Sequence, residues 1–161
     1  MVEWESHISM RCGLILADSV HGYFNGVDQY ISASPTSRLG GLQGLTVSAW
    51  VKRSVSGDDW DRLIDFGDGG TKKDNIIVAF QSGINYHNYR GDFHSTGLEL
   101  GGSFPSDNWT HVGIIHEPST TAHLYLNGEL QNSVNVQLAR KMYRSHNYIG
   151  KSHWSADPWF K

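Results

Sequence analysis

Residues 45–52 alternate. Leu45, Val47, Ala49 and Val51 fall on one face of an extended strand, and Thr46, Ser48 and Trp50 fall on the other. Trp50 adds apolar bulk to the second face, which suits a sandwich strand covered on each side. Residues 109–116 form another apolar, β-branched run, stopped by Glu117-Pro118-Ser119-Thr120-Thr121, where Pro and Ser disfavour continued pairing. A strand resumes over 122–126. Asn127-Gly128 then supplies the two residues that tolerate positive φ in a tight hairpin, and 129–136 returns alongside. The spacing predicts three antiparallel strands between Asn108 and Val136.

The same pattern runs through the rest of the chain. Residues 13–17, with Leu14, Ile15 and Leu16, predict a short buried strand. Residues 22–31 predict two short strands pivoting on Asn25-Gly26. Residues 34–44 hold Pro35 and three glycines and read as a loop, as do 54–61, with Asp58, Asp59, Trp60 and Asp61. Strands follow at 62–66, 75–81, 84–89 and 98–100, separated by Gly67-Asp68-Gly69-Gly70, by Ser82-Gly83 and by a loop over 91–96. Residues 138–144 read as a basic loop, and 147–150 as a last short strand. Residues 152–161 are aromatic, with Trp154, Trp159 and Phe160. Residues 1–11, with Trp4, His7, Ile8 and Met10, fit an irregular edge strand or an ordered arm. About ten to twelve short strands with turn signals every ~8–12 residues predict an all-β, antiparallel two-sheet sandwich of jelly-roll type. No repeat or linker divides the chain, so one domain over 1–161 is expected.

Composition narrows the function. The chain has 161 residues, 18 of them glycine, and a formal net charge of −3. Its 13 Lys and Arg form no cluster, so there is no basic field for a nucleic-acid backbone. No run approaches the ~18–20 apolar residues of a membrane span, and the acidic start, Met1-Val2-Glu3-Trp4-Glu5, lacks the basic region of a signal peptide. The lone Cys12 has no intrachain disulfide partner and reads as a small hydrophobe.

The order of motifs resembles the laminin-G-like jelly roll of the concanavalin A-like lectin/glucanase superfamily. Phe24-Asn25-Gly26-Val27-Asp28-Gln29-Tyr30-Ile31 is similar to that family's opening motif. Residues 45–52, Asn108-Trp109-Thr110-His111-Val112, Leu124-Tyr125-Leu126-Asn127-Gly128 and Tyr148-Ile149-Gly150-Lys151 are similar to four of its strands, in the same order. The resemblance covers roughly residues 14–161. The family's usual last strand would begin where the sequence ends, at Trp159-Phe160-Lys161. Three accounts stay open: a trimmed chain, replacement by residues 2–10, or a strand supplied by another copy through an open sheet edge. The last makes a homo-oligomer an expectation. The resemblance also implies an extracellular or surface setting.

Catalysis is not expected. The superfamily's glucanases carry their acids as Glu-x-Asp-x-x-Glu on one strand, whereas Glu3, Glu5, Glu99, Glu117 and Glu129 are scattered here. No Gly-x-Ser-x-Gly or zinc-binding histidine spacing occurs among the nine histidines. His111 and His116, an odd number of positions apart, must face opposite sides of their strand, and His111 fits an inter-strand hydrogen bond. The resemblance implies that some relatives hold calcium at the rim through carboxylates and carbonyls. Asp58, Asp61, Asp65 and Asp68 are the candidate ligands here, with Asp59 beside them and Asp28 with Asp157 as a further pair. Asn108-Trp109-Thr110 matches a glycosylation sequon, set aside because Trp109 opens a buried strand. Trp60, Tyr86, Tyr89, Tyr143, Trp154 and Trp159 lie in or beside polar loops, where rings stack on sugars or on partner proteins. The expectation is a non-catalytic recognition module for a carbohydrate or protein ligand. Its ligand residues are Trp60, Tyr86, Tyr89 and Trp154. The rival is a structural, self-assembling subunit, and a glycoside hydrolase ranks below both.

Overall fold

The computed structural model describes residues 2–3, 21–33, 36–39, 44–71, 74–91, 93–94, 98–99 and 104–161. Among these residues the regular structure is all strand: β1 (Val2–Glu3), β2 (His21–Gly22), β3 (Ile31–Ala33), β4 (Thr36–Leu39), β5 (Leu45–Val51), β6 (Asp61–Gly67), β7 (Ile76–Gln81), β8 (Gly83–Arg90), β9 (Phe93–His94), β10 (Leu98–Glu99), β11 (Thr110–His116), β12 (Thr121–Leu126), β13 (Glu129–Asn135), β14 (Met142–Arg144) and β15 (His146–Ile149). One antiparallel sheet runs β13-β12-β11-β5-β1-β2. The other runs β10-β8-β7-β6-β15-β3, with β9 also on β8, and β14 pairs with β4.

The period-2 pattern decides which side chains meet between the sheets. Val47, Ala49 and Val51 of β5 join Val112 and Ile114 of β11 and Leu124 of β12 in one buried cluster. The facing sheet contributes Ile64, Phe66, Ile76, Val78, Phe80 and Ile84. Each such side chain withdrawn from water contributes about 1.5–3 kcal/mol. This is the predicted jelly-roll sandwich.

The central hairpin forms as expected, with Asn127 at φ 50° and Gly128 at φ 83° between β12 and β13. Other expectations need correction. β5 is covered on one side only: Thr46 is exposed, and Trp50 lies half-buried against His111 with ring centroids 5.3 Å apart. Asn25-Gly26 does not pivot a hairpin. The Asn25 carboxamide oxygen accepts from the backbone N–H groups of Val27 and Asp28, at 2.9 and 3.1 Å, making a side-chain-capped turn. Across that turn the chain leaves β2 in one sheet and enters β3 in the other. The expected loops at 34–44 and 138–144 contain β4 and β14, paired with each other. Their junction is held by Arg144, wholly buried, which donates to the carbonyls of Leu39 at 2.6 Å, Asp74 at 2.9 Å and Arg140 at 3.2 Å. The loop expected over 91–96 includes β9. Cys12 and the strand expected at 13–17 lie outside the described residues.

The last segment is built into the sandwich. Phe160 is fully buried, edge-on to Phe24 at 5.9 Å and tilted against Phe80 at 5.6 Å, and the Lys161 carbonyl accepts from the Ser54 N–H at 2.9 Å. Anchored there and at β15, residues 151–159 cross the outer face of the second sheet.

Candidate functional site

Alternation fixes what that outer face presents. With Ile76, Val78 and Phe80 turned inward on β7, Ile77 turns outward; with Tyr86 and Asn88 inward on β8, His87 and Tyr89 turn outward. A bulge between Arg62 and Ile64 gives β6 one extra residue, so Arg62 comes out opposite Ala79 while Ile64 stays in the core. Asp65 lies in one row with Ile77 and His87.

Residues 151–159 pin themselves to this row through polar contacts. Asp65 is fully buried. Its Oδ2 accepts from the His153 backbone N–H at 3.0 Å and its Oδ1 from the Asn75 carboxamide at 2.7 Å, with His153 Nδ1 2.9 Å from Oδ1. Ser152 Oγ donates to Asp157 Oδ2 at 2.8 Å and accepts from the Trp154 N–H at 3.0 Å, closing a short turn. The Arg62 guanidinium joins the parts. It donates to Asp157 Oδ2 and, at 2.5 Å, to the Trp60 carbonyl, and its Nε lies 3.7 Å from Asp65. Its Cζ is 5.6 Å from the ring centres of both Trp60 and Trp154.

A pocket of about 190 Å³ opens above this layer. Trp60, Tyr89 and Trp154 form aromatic walls; Ile77 and His87 lie at the base; Arg62 and Asp157 supply the charge. Trp154 and Tyr89 are 5.6 Å apart at 40°, and Trp60 and His87 are 5.8 Å apart. Trp60 has φ 71°, a left-handed conformation that costs a bulky residue about 1–2 kcal/mol. Its N–H is tied to the Phe80 carbonyl at 2.6 Å. Backbone held in such a region concentrates at ligand sites. Burial pushes the Tyr89 phenol up, against the pull of Arg62, so its hydroxyl stays protonated.

Three of the four aromatic residues expected to bind ligand, Trp60, Tyr89 and Trp154, therefore line one pocket. Tyr86 does not. It has 0% exposure on the inner face of β8, and its hydroxyl lies 2.9 Å from His116 Nδ1 between the sheets. The alternation of β8 separates Tyr86 from Tyr89, and aromatic content alone gave no such distinction. The four aspartates expected to hold metal do not converge either. Asp58 is exposed and pairs with Lys161 at 3.3 Å, and Asp68 is exposed on a glycine turn. Asp61 is buried against Arg53 at 3.1 Å, and Asp65 is enclosed as described. Asp28 bonds the Asn25 amide at 2.7 Å while Asp157 holds Arg62. Among the described residues no group of three His, Cys, Asp or Glu could hold a metal ion. Asn108 of the sequon is exposed, in the turn before β11.

The lining residues that sequence reasoning missed are Arg62, Ile77 and His87, while Asp157, expected beside Asp28 as a metal ligand, pairs with Arg62 instead. Arg62 and Asp157 are 95 positions apart, and no local pattern couples them. Among the described residues, no segment is seen to cross the outer face of the other sheet. There His111 Nε2 lies 2.8 Å from Ser48 Oγ, the expected inter-strand bond, and His123 Nδ1 is 2.7 Å from Ser133 Oγ.

A family model described as the concanavalin A-like lectin/glucanases superfamily matches residues 25–161. Among solved structures, a native heptameric SAP-like pentraxin from Limulus polyphemus is 11% identical, with a TM-score of 0.48 over 74% of this chain and 54% of that one. The chain thus spans about half the pentraxin's length. Sheep galectin-11, in complex with glycerol, is 13% identical, with a TM-score of 0.45 over 87% and 96% of the two chains. At these values neither neighbour speaks to what this chain binds. A comparison with curated proteins finds no match.

Proposed function

The chain belongs to the concanavalin A-like lectin/glucanase superfamily, and from that premise we propose that it is a non-catalytic recognition module that seats one sugar residue between Trp60, Tyr89 and Trp154. The observation that carries this reading is three aromatic rings closing on a polar floor. A sugar ring offers an apolar C–H face to stack on aromatic walls and hydroxyls to bond the floor. Asp157 Oδ2 receives both Arg62 and Ser152, and Oδ1 is left to accept from a ligand hydroxyl. The cavity, about 190 Å³, is below the ~300–1,000 Å³ of clefts for drug-sized ligands, which suits a single terminal residue. Glycoside hydrolysis requires two carboxylates flanking the bond. Here Asp65 is wholly buried under Asn75 and His153, so Asp157 faces the pocket alone.

A glycan array run with and without EDTA tests the reading, followed by calorimetry on the ligands it finds. Saturable binding is expected, unchanged by EDTA because no wall or floor group needs a metal. Trp154→Ala should weaken it by about tenfold, the equivalent of ~1.4 kcal/mol. Trp50→Ala, on the outer face of the other sheet, should leave it unchanged. The opposite ranking would move the site to that face, and loss of binding in EDTA would bring the rim aspartates back as calcium ligands.

A second reading, a self-assembling subunit, draws on β13. This end strand of its sheet is mostly exposed and contains no Lys or Pro, two residues that ordinarily discourage edge pairing, with only Glu129 and a bulge at Gln131 to guard it. Size-exclusion chromatography with light scattering checks it; a monomer at micromolar concentration counts against it.

A further inference from the structure

The charges beneath the pocket bear on which sugars it takes. Arg62 is the one cation among the lining residues, and its charge is already committed. Asp157 binds it from the turn of residues 151–159, and Asp65 lies 3.7 Å from its Nε below. Two carboxylates thus surround one guanidinium. The side-chain exposures are 4% for Arg62 and 20% for Asp157, so the carboxylate is the partner a ligand meets first. Lys151, beside the same segment, is held by another aromatic group, with its ammonium 4.3 Å from the Tyr30 ring, 4.9 Å from Tyr148 and 5.2 Å from Trp159. Among the described residues that line the pocket, an anionic ligand therefore finds no unpaired cation and one facing carboxylate.

A cationic ligand fares no better. Aromatic walls beside an acid can cage an ammonium group. Here the guanidinium of Arg62 already lies over both indoles, so a second cation would enter against a like charge in a half-buried site. The remaining chemistry is neutral: C–H bonds against Tyr89, Trp60 and Trp154, and a hydroxyl donated to Asp157.

We infer that the pocket selects uncharged pyranose residues and rejects acidic sugars, with the Arg62–Asp157 pair as the specificity element. The inference rests on the sugar-binding reading above and narrows it. Because Asp157 both occupies Arg62 and repels anions, its neutral isostere should relax the selection: Asp157→Asn keeps a side chain of the same shape and leaves the guanidinium available for bidentate pairing with a ligand carboxylate.

The test is calorimetry on the full chain at low salt with five probes: the methyl glycosides of glucose and galactose, methyl glucuronide, N-acetylneuraminic acid, and choline as the cation. At least one neutral glycoside is expected to bind ten times or more tighter than either acidic sugar and than choline. Raising the salt should shrink the gap to the acidic sugars, since screening weakens charge and not shape. Asp157→Asn should bring the acidic sugars to within about threefold of the neutral one. Acidic sugars or choline binding as tightly as the neutral probes, with that binding lost in Trp154→Ala, overturns the inference while leaving the sugar pocket standing. A gap that high salt does not change also overturns it, and this arm needs no variant to fold. Failure of every probe to bind overturns the inference together with the reading beneath it.

Discussion

Two of the places where this protein hides polar side chains are solved differently. On the outer face of the second sheet, Arg62 and Asp65 are buried beneath residues 151–159, which bring His153 and Asp157 onto them. Between the sheets, Tyr86, Asn88 and His116 are buried in the core. The outer group is charged and bonds across segments far apart in sequence. The inner group is neutral: His116 Nε2 donates to the Val136 carbonyl at 2.8 Å, so Nδ1 is the acceptor facing the Tyr86 hydroxyl. Burial lowers the His116 pKa, which keeps the ring uncharged. Charges taken out of water require partners on every side, and they hold rigidly whatever carries those partners. The outer group thereby fixes Trp60 and Trp154. The inner group closes a gap in an apolar layer.

The difference is sharpest in the cost of removing one member. Arg62→Met keeps the length and apolar body of the side chain but leaves Asp65 and Asp157 without their cation. A loss of about 3–5 kcal/mol of stability is expected, as for other buried pairs with one partner removed. Denaturant titration measures it, and Arg62→Lys, which keeps the charge but not the fork, should recover part of it. A loss within about 1 kcal/mol of wild type would mean that the outer charges are solvated in practice, and the contrast with the inner group would collapse.

Asp61 lies between the two cases. It is charged, yet it opposes Phe80 on the inner side of the same sheet. Burial pushes its carboxyl up to about 6, against the pull of Arg53. The folded value lies above the unfolded one, so the folded state holds this proton more tightly. The resulting stabilisation is complete below about pH 4 and is lost as the pH rises through about 6; the whole effect is on the order of 3 kcal/mol. Asp61→Asn cannot lose a proton, so its unfolding free energy should gain on the wild type between about pH 4 and 7. Parallel pH profiles for the two proteins would show that Arg53 compensates the buried charge in full.

How far these sites were legible depended on distance along the chain. The strands at 45–52 and 109–136 could be read because period-2 alternation and Asn127-Gly128 are local signals. Trp60, Tyr89 and Trp154 were found by chemistry, as rings beside polar loops, but their meeting in one pocket depends on the path of 151–159 across the sheet. That path is set by contacts such as His153 to Asp65, 88 positions apart. The misreadings share a cause. Asp61 and Asp65 sit among turn-forming residues and read as rim ligands, yet the bulge in β6 and the pairing of β6 with β7 bury them. Arg144 read as part of a basic loop, although its charge is spent on three backbone carbonyls. Tyr86 was misplaced by one strand period.

Tyr86 also supplies the smallest and most discriminating test. Tyr86→Phe deletes one hydroxyl and leaves the ring, so packing between the sheets is kept. His116 Nδ1 loses a donor, but the Asn88 carboxamide nitrogen lies 3.4 Å away and can move onto it. The cost should therefore fall near the low end for a buried hydrogen bond, about 1 kcal/mol, read as a shift in the denaturation midpoint. Sugar binding should not change, because the removed atom faces the core while the pocket lies on the opposite side of β8. A binding loss comparable to that of Trp154→Ala would show that the inner and outer groups communicate through β8, and would return Tyr86 to the ligand-determining residues.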